Sequence, residues 1–182
     1  MEAYKIAKEK IENCKKYKIP YLDLSGLNLT HLPQELADLT WLERLSISRN
    51  NLNSIQILKN LTLIRKLAFS HNNIKDLTPL KNNTKLKFLF MKHNKISDIS
   101  TLKTIKTLKK IEAHHNSIKD LKDLEKLPQL IFLDLANNRV SNIEPLENIK
   151  TLRWLSLKDN PIKLEDIIKL KNSLKNLVYF TY

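Results

Sequence analysis

The chain has 182 residues, 42% of them apolar and 28% charged, with a net charge of +13. That balance belongs to a globular chain able to build one sizeable core, and it excludes a disordered polymer. No apolar run approaches the roughly 18 residues of a membrane span, and a lone Cys14 leaves no internal disulfide, which fits a reducing compartment.

One glycine in the whole chain predicts a fold with few left-handed backbone positions. No apolar segment follows Met1 as a secretion signal would, so a cytoplasmic protein is expected, with a secreted effector as the other placement. The charge is uneven. Residues 81–110 hold nine lysines against the single acid Asp98, a local balance of +8. Such a field favours acidic partners and speeds encounter with them.

The first element predicted is a helix. EAYKIAKEKIENCKKY places Ala3, Ala7, Ile11, Cys14 and Tyr17 on one stripe, a face that must be buried against something. Ile19, Leu22 and Leu24 then open a different pattern in LDLSGLNLTHLPQEL.

From there the chain repeats. Asn50, Asn72, Asn94, Asn116, Asn138 and Asn160 fall 22 residues apart. Five and three residues before each asparagine stand apolar pairs: Leu45/Ile47, Leu67/Phe69, Leu89/Met91, Ile111/Ala113, Leu133/Leu135 and Leu155/Leu157. Leu27 takes the asparagine position in the first coil. After each asparagine come further apolar positions, such as Ile96 and Ile99 or Ile118 and Leu121. Each coil reads as a short strand, a turn at the asparagine and an irregular or 3₁₀ return. No coil can bury its apolar face alone, so the coils must stack, and the ladder of amides must serve backbone groups at the turns. PIKLEDIIKLKN then predicts a helix near 164–172. Leu174, Leu177 and Tyr179 continue Leu152, Leu155 and Leu157 at the 22-residue step, predicting an eighth strand with Tyr182 where the next asparagine would stand.

LxxLxLxxNxL is the pattern of leucine-rich repeats. Residues 41–163 resemble the 22-residue class seen in internalins and in the leucine-rich regulatory subunit of protein phosphatase 1. Asp76, Asp98, Asp120, Pro79 and Pro145 match that class. The opening helix and LDLSGLNLTHLP resemble the start of bacterial Roco-type repeat domains, although no GTPase motif follows. The resemblance implies an α/β repeat solenoid: a right-handed superhelix with a curved parallel sheet of about eight strands and helical caps. One domain is expected, with a cap helix over 1–18, repeats over 19–163, and a helix and last strand over 164–182.

With the apolar pairs facing inward, the alternate strand positions face the concave surface. One column reads Tyr21, Arg44, Lys66, Phe88, Lys110, Phe132, Trp154, Asn176. A second reads Asp23, Ser46, Ala68, Phe90, Glu112, Asp134, Ser156, Val178, and a third runs through Lys92 and His114 to Phe180. Aromatic rings flanked by cations resemble interface hot spots, and no helix covers a concave sheet to demand them. The partner-binding candidates are therefore Arg44, Lys66, Phe88, Phe90, Lys92, Lys110, Glu112, His114, Phe132, Asp134 and Trp154.

His71, His93 and His115 occupy one position in three successive coils, with His114 beside the last. Imidazoles at strand spacing could share a metal, form a hydrogen-bonding ladder or sense pH. No carboxylate or cysteine completes a ligand set, so neither metal nor cofactor is expected. Glu112 and Asp134 are neighbouring acids, but an open sheet does not exclude water, and the motifs of hydrolases, P-loop proteins and metalloproteases are missing. The sequence predicts a non-enzymatic, monomeric scaffold that binds an acidic protein surface. RNA or another polyanion on the basic central coils is the alternative reading, and membrane binding is not expected.

Overall fold

The computed structural model describes residues 2–182. Eight short strands run parallel, in chain order, through one sheet. They are β1 (Tyr21–Asp23), β2 (Arg44–Ser46), β3 (Lys66–Ala68), β4 (Phe88–Phe90), β5 (Lys110–Glu112), β6 (Phe132–Asp134), β7 (Trp154–Ser156) and β8 (Tyr179–Thr181). Two helices flank the repeats, α1 (Glu2–Lys16) before them and α2 (Leu164–Ser173) between β7 and β8. The sheet is the direct product of the repeat. A constant step sets Arg44 beside Lys66, Lys66 beside Phe88 and Phe88 beside Lys110.

The apolar register holds. Phe69, Met91 and Ala113 are all 0% exposed, and the inward leucines and isoleucines of the repeats form one continuous core. Each such side chain stabilises the coil by about 1.5–3 kcal/mol when fully buried.

Between the strands the chain returns through 3₁₀ turns such as Ser100–Thr104 and Lys122–Lys126. The aspartates ahead of several turns have a defined task. Asp76 Oδ1 accepts the N–H of Thr78 at 2.8 Å, Asp98 that of Ser100 at 2.7 Å, and Asp120 that of Lys122 at 2.8 Å. These are Asx turns that start the 3₁₀ segment and occupy an otherwise unpaired donor.

The ladder asparagines bond in one repeated way. Asn94 Nδ2 donates to Met91 O in its own coil and to Phe69 O in the coil before, both at 3.1 Å. Its Oδ1 accepts the N–H of Ile74 at 2.9 Å. Asn116 repeats this with Ala113 O, Met91 O and Ile96 N, each at 3.0 Å. One amide thus serves backbone groups of two coils, stitching each turn to the preceding one.

The paucity of glycine misleads about the backbone. Arg49, His71, His93, His115, Asn137 and Asp159 all have φ between 51° and 57°, so the residue before each ladder asparagine is left-handed. The ladder bonds and the coil-to-coil backbone bonds hold that conformation without help from glycine. His93, for instance, donates its N–H to His114 O at 3.0 Å. Gly26 takes the same turn position, with φ 71°, in the first coil, where Leu27 stands in place of the asparagine.

Both ends differ from the sequence expectations. In α1, Ala7, Ile11 and Cys14 are buried, but Tyr17 falls beyond the helix and is 64% exposed. Burial pushes the Cys14 thiol above its ordinary pKa, and its Sγ–H points to Ile19 O at 3.2 Å, so it is a packing group.

At the other end, Trp154 pairs with Tyr179, Leu155 with Phe180 and Ser156 with Thr181. The last step is therefore 25 residues, not 22. An α-helix rises about 1.5 Å per residue against about 2.0 Å for a 3₁₀ turn, so α2 consumes more chain to cross the same distance. Phe180, not Leu177, packs into the core position, Tyr179 faces outward, and Asn176 and Val178 leave the concave columns. Val178 is 86% exposed. Tyr182 lies one residue past the strand, tilted against Phe180, and not at an asparagine position.

Candidate functional site: the concave sheet face

The strand positions that do not point inward form a surface that no other element covers. Its first column runs Tyr21, Arg44, Lys66, Phe88, Lys110, Phe132, Trp154 and Tyr179. Phe88 is 38% exposed and Tyr179 45% exposed, whereas Phe132 and Trp154 are half-buried by their neighbours.

Rings and cations intermingle on this surface, and cations of the first column contact rings of the first and second. Lys110 Nζ lies 3.9 Å from the Phe132 centroid and 5.5 Å from that of Phe90, and Lys66 Nζ lies 5.3 Å from Phe90. Farther along, Phe132 and Trp154 stack at 3.9 Å and Trp154 and Tyr179 at 4.8 Å, all nearly parallel. Tyr179 is a member that a constant 22-residue step assigns to the wrong face. The break in period at α2 was the available signal.

In the second column the acids are partly engaged. Lys110 Nζ pairs with Glu112 at 2.8 Å, within the same strand. Asp134 Oδ1 accepts the N–H of Ala136 at 3.1 Å, closing a turn at the end of β6. The structure therefore sets Lys66, Phe88, Phe90, Lys110, Glu112, Phe132, Asp134 and Trp154 on one continuous surface.

Arg44 and Lys92 lie toward its N-terminal half, on a hollow of about 510 Å³ that Arg49, Ser70 and His71 also line. Arg49 escapes the strand-alternation rule because the left-handed turn re-aims its side chain.

The histidines form the rim of this face. His71 and His93 stack with centroids 4.3 Å apart, and His93 and His115 at 4.1 Å. His114 meets His93 edge-on at 5.3 Å, and its Nδ1 lies 2.8 Å from Nδ1 of His115. Burial and the neighbouring imidazoles push His93 down to about 4, with Lys92 adding to the effect. His71 and His114 are also lowered, first by burial, although Asp134 and Glu112 act on His114 in the opposite sense. These three rings are neutral near pH 7.

No described helix is long and apolar enough to cross a membrane. Two successive matches to the family of "Leucine Rich repeats (2 copies)" cover residues 62–104 and 106–148. Comparison with curated protein sequences gives no match. Among solved structures, internalin C2 from Listeria monocytogenes is 25% identical with a TM-score of 0.74, over 99% of this chain and 92% of that one. A leucine-rich-repeat protein of Leptospira interrogans is 22% identical with a TM-score of 0.78, over 93% of this chain and 50% of its own. A plant peptide hormone receptor, solved in complex with RGF2, is 24% identical with a TM-score of 0.69, over 82% of this chain and 25% of the receptor. The last two share the fold. Leucine-rich repeats commonly serve as protein-binding scaffolds and are generally not enzymes. The asparagine ladder, the unclosed parallel sheet and these matches together identify the chain as a leucine-rich-repeat protein of the internalin-like type.

Proposed function

We propose that this chain is a non-enzymatic scaffold whose concave face docks an acidic surface of another protein. The observation that carries the reading is the uncovered strip in which Lys66, Phe88, Lys110, Phe132, Trp154 and Tyr179 follow one another across successive strands. Large rings held by stacking lose little side-chain entropy on docking, and the interleaved cations select against basic partners. The relative solved in complex with RGF2 supports the use of this fold for binding. Helix α1 packs on β1 at the first end of the stack, and the free Cys14 thiol fits a reducing, cytoplasmic setting.

A basic hollow lined by Arg44, Arg49, Lys66 and Lys92 favours the second reading, a polyanion such as RNA. Glu112 and Asp134 interrupt that track, so the protein partner is the stronger reading.

The experiment captures partners from the source cell with the purified chain, then measures each against Phe88→Ala, Phe132→Ala and Trp154→Ala. Each substitution is expected to weaken the complex by more than about 1 kcal/mol. Salt is expected to change association rate more than affinity. A steep log-linear fall of affinity with salt would instead identify a polyanion site. Unaltered binding by all three variants overturns the concave-face reading.

A further inference from the structure

We propose that His93, His114 and His115 form a binding site for a divalent transition metal, zinc being the type ion, with a further coordination position open at the rim of the concave face. One ring nitrogen from each of the three lies within 4.8 Å of the others. A tetrahedral zinc with Zn–N bonds of about 2.0–2.1 Å holds its nitrogens about 3.4 Å apart. The 2.8 Å between Nδ1 of His114 and Nδ1 of His115, and the 4.8 Å limit on the set, bracket that spacing. Ring lone pairs lie in the ring plane, so completing the site requires His93 and His115 to rotate out of their 4.1 Å stack and turn their nitrogens toward the ion.

The backbone explains how adjacent residues can share an ion. Successive side chains of an extended strand point to opposite faces. His115 has φ 55°, and the left-handed turn swings its ring back beside that of His114. The parallel strands then bring His93 from the preceding coil, stacked on His115 at 4.1 Å.

Conformational preference alone does not account for the cluster. Histidine tolerates the left-handed region better than most residues, yet Arg49, Asn137 and Asp159 fill the same position in other coils. His114, moreover, is not among the left-handed residues, so that preference does not bear on it.

The donor set selects the ion. Three imidazoles and no oxygen ligand suit Zn²⁺, Ni²⁺ or Cu²⁺ and disfavour Mg²⁺ and Ca²⁺. Asp134 and Glu112 act on His114 against the cationic field of Lys92, and their carboxylates favour a bound cation beside it. This site is independent of the protein-docking reading and survives or fails without it.

The test is calorimetric titration of the full chain with zinc chloride, with magnesium chloride as the comparison ion. One zinc per chain is expected, with no saturable magnesium uptake. His93→Asn and His115→Asn copy Asn137, and His114→Ala copies Ala136, so each variant places a residue that another coil already carries at the same position. Each is expected to lower zinc affinity by more than about tenfold, whereas His31→Ala leaves it unchanged. Cobalt substitution of the parent chain is expected to give the visible absorption of a low-coordinate nitrogen site. Absence of saturable zinc uptake and of that absorption by the parent chain overturns the proposal. Full affinity in any of the three variants overturns the three-ligand site.

Discussion

The indole of Trp154 lies flat on the ring of Phe132, with centroids 3.9 Å apart and planes 7° from parallel. On its other side, Tyr179 stacks at 4.8 Å, so Trp154 is the middle ring of three drawn from successive coils. Cross-strand aromatic pairs contribute about 0.5–1.5 kcal/mol each beyond their buried area. Trp154→Ala should therefore lower stability by about 1–3 kcal/mol while leaving the fold intact, because the inward face of β7 is untouched. Denaturant unfolding of variant and parent measures it. A loss as large as that of an inward leucine would contradict the surface assignment.

Asn94→Ala and Asn116→Ala each remove an amide that bonds one backbone N–H and three carbonyls across two coils. Each should cost about 1–3 kcal/mol, because the N–H of Ile74 or Ile96 loses its acceptor, while the two nearer carbonyls keep the amide of an adjacent ladder asparagine. Lys103 pairs with Asp123 at 3.0 Å on the exposed return, and Lys103→Ala should cost less than about 1 kcal/mol. Similar melting shifts for all three would refute the ladder as a stabilising device.

Gly26 has φ 71° and no heavy atom within 4 Å of where a Cβ would stand. Space is therefore not the constraint; backbone conformation is. Gly26→Ala should destabilise by about 1 kcal/mol, and Gly26→Asn by less, since asparagine tolerates the left-handed region. The order of their unfolding midpoints tests this directly.

Stability should depend on pH through the histidine ladder. His93 titrates at about 4 in the folded chain against an ordinary 6.5, so between those values the unfolded state binds more protons. The sign follows: the contribution of neutral His93 is complete above about 6.5 and is lost as pH falls toward about 4. Melting temperatures across that window should decline, and His93→Asn should flatten the decline. An unchanged slope in the variant would show that other groups govern it.

The register of β8 can be tested by a pair of truncations. Phe180 pairs with Leu155 and packs on the core, while Tyr179 points outward beside Trp154. Phe180→Ala should destabilise by about 2–4 kcal/mol and Tyr179→Ala by less than half of that. The reverse order would restore the constant 22-residue step.

What the sequence by itself determined is the coil. A strict period placed the inward pairs, the ladder asparagines, the strand order and the outward columns from Tyr21 to Trp154, because in a stack each position has the same neighbours in every turn. Phe88 and Phe90 could be recognised as surface residues from that alternation alone. Where the period ended, so did the legibility. The 25-residue last step, which turns Tyr179 outward and Phe180 inward, depends on α2 being a ten-residue α-helix rather than a 3₁₀ turn. The left-handed residue before each ladder asparagine was hidden as well, since bonds between coils, not glycines, hold it there. That turn re-aims Arg49 into the hollow and brings His114 against His115, a neighbour relation that strand alternation forbids. Only the stacked structure decides such contacts, because they arise between coils and at turns, where the two-residue alternation no longer dictates direction.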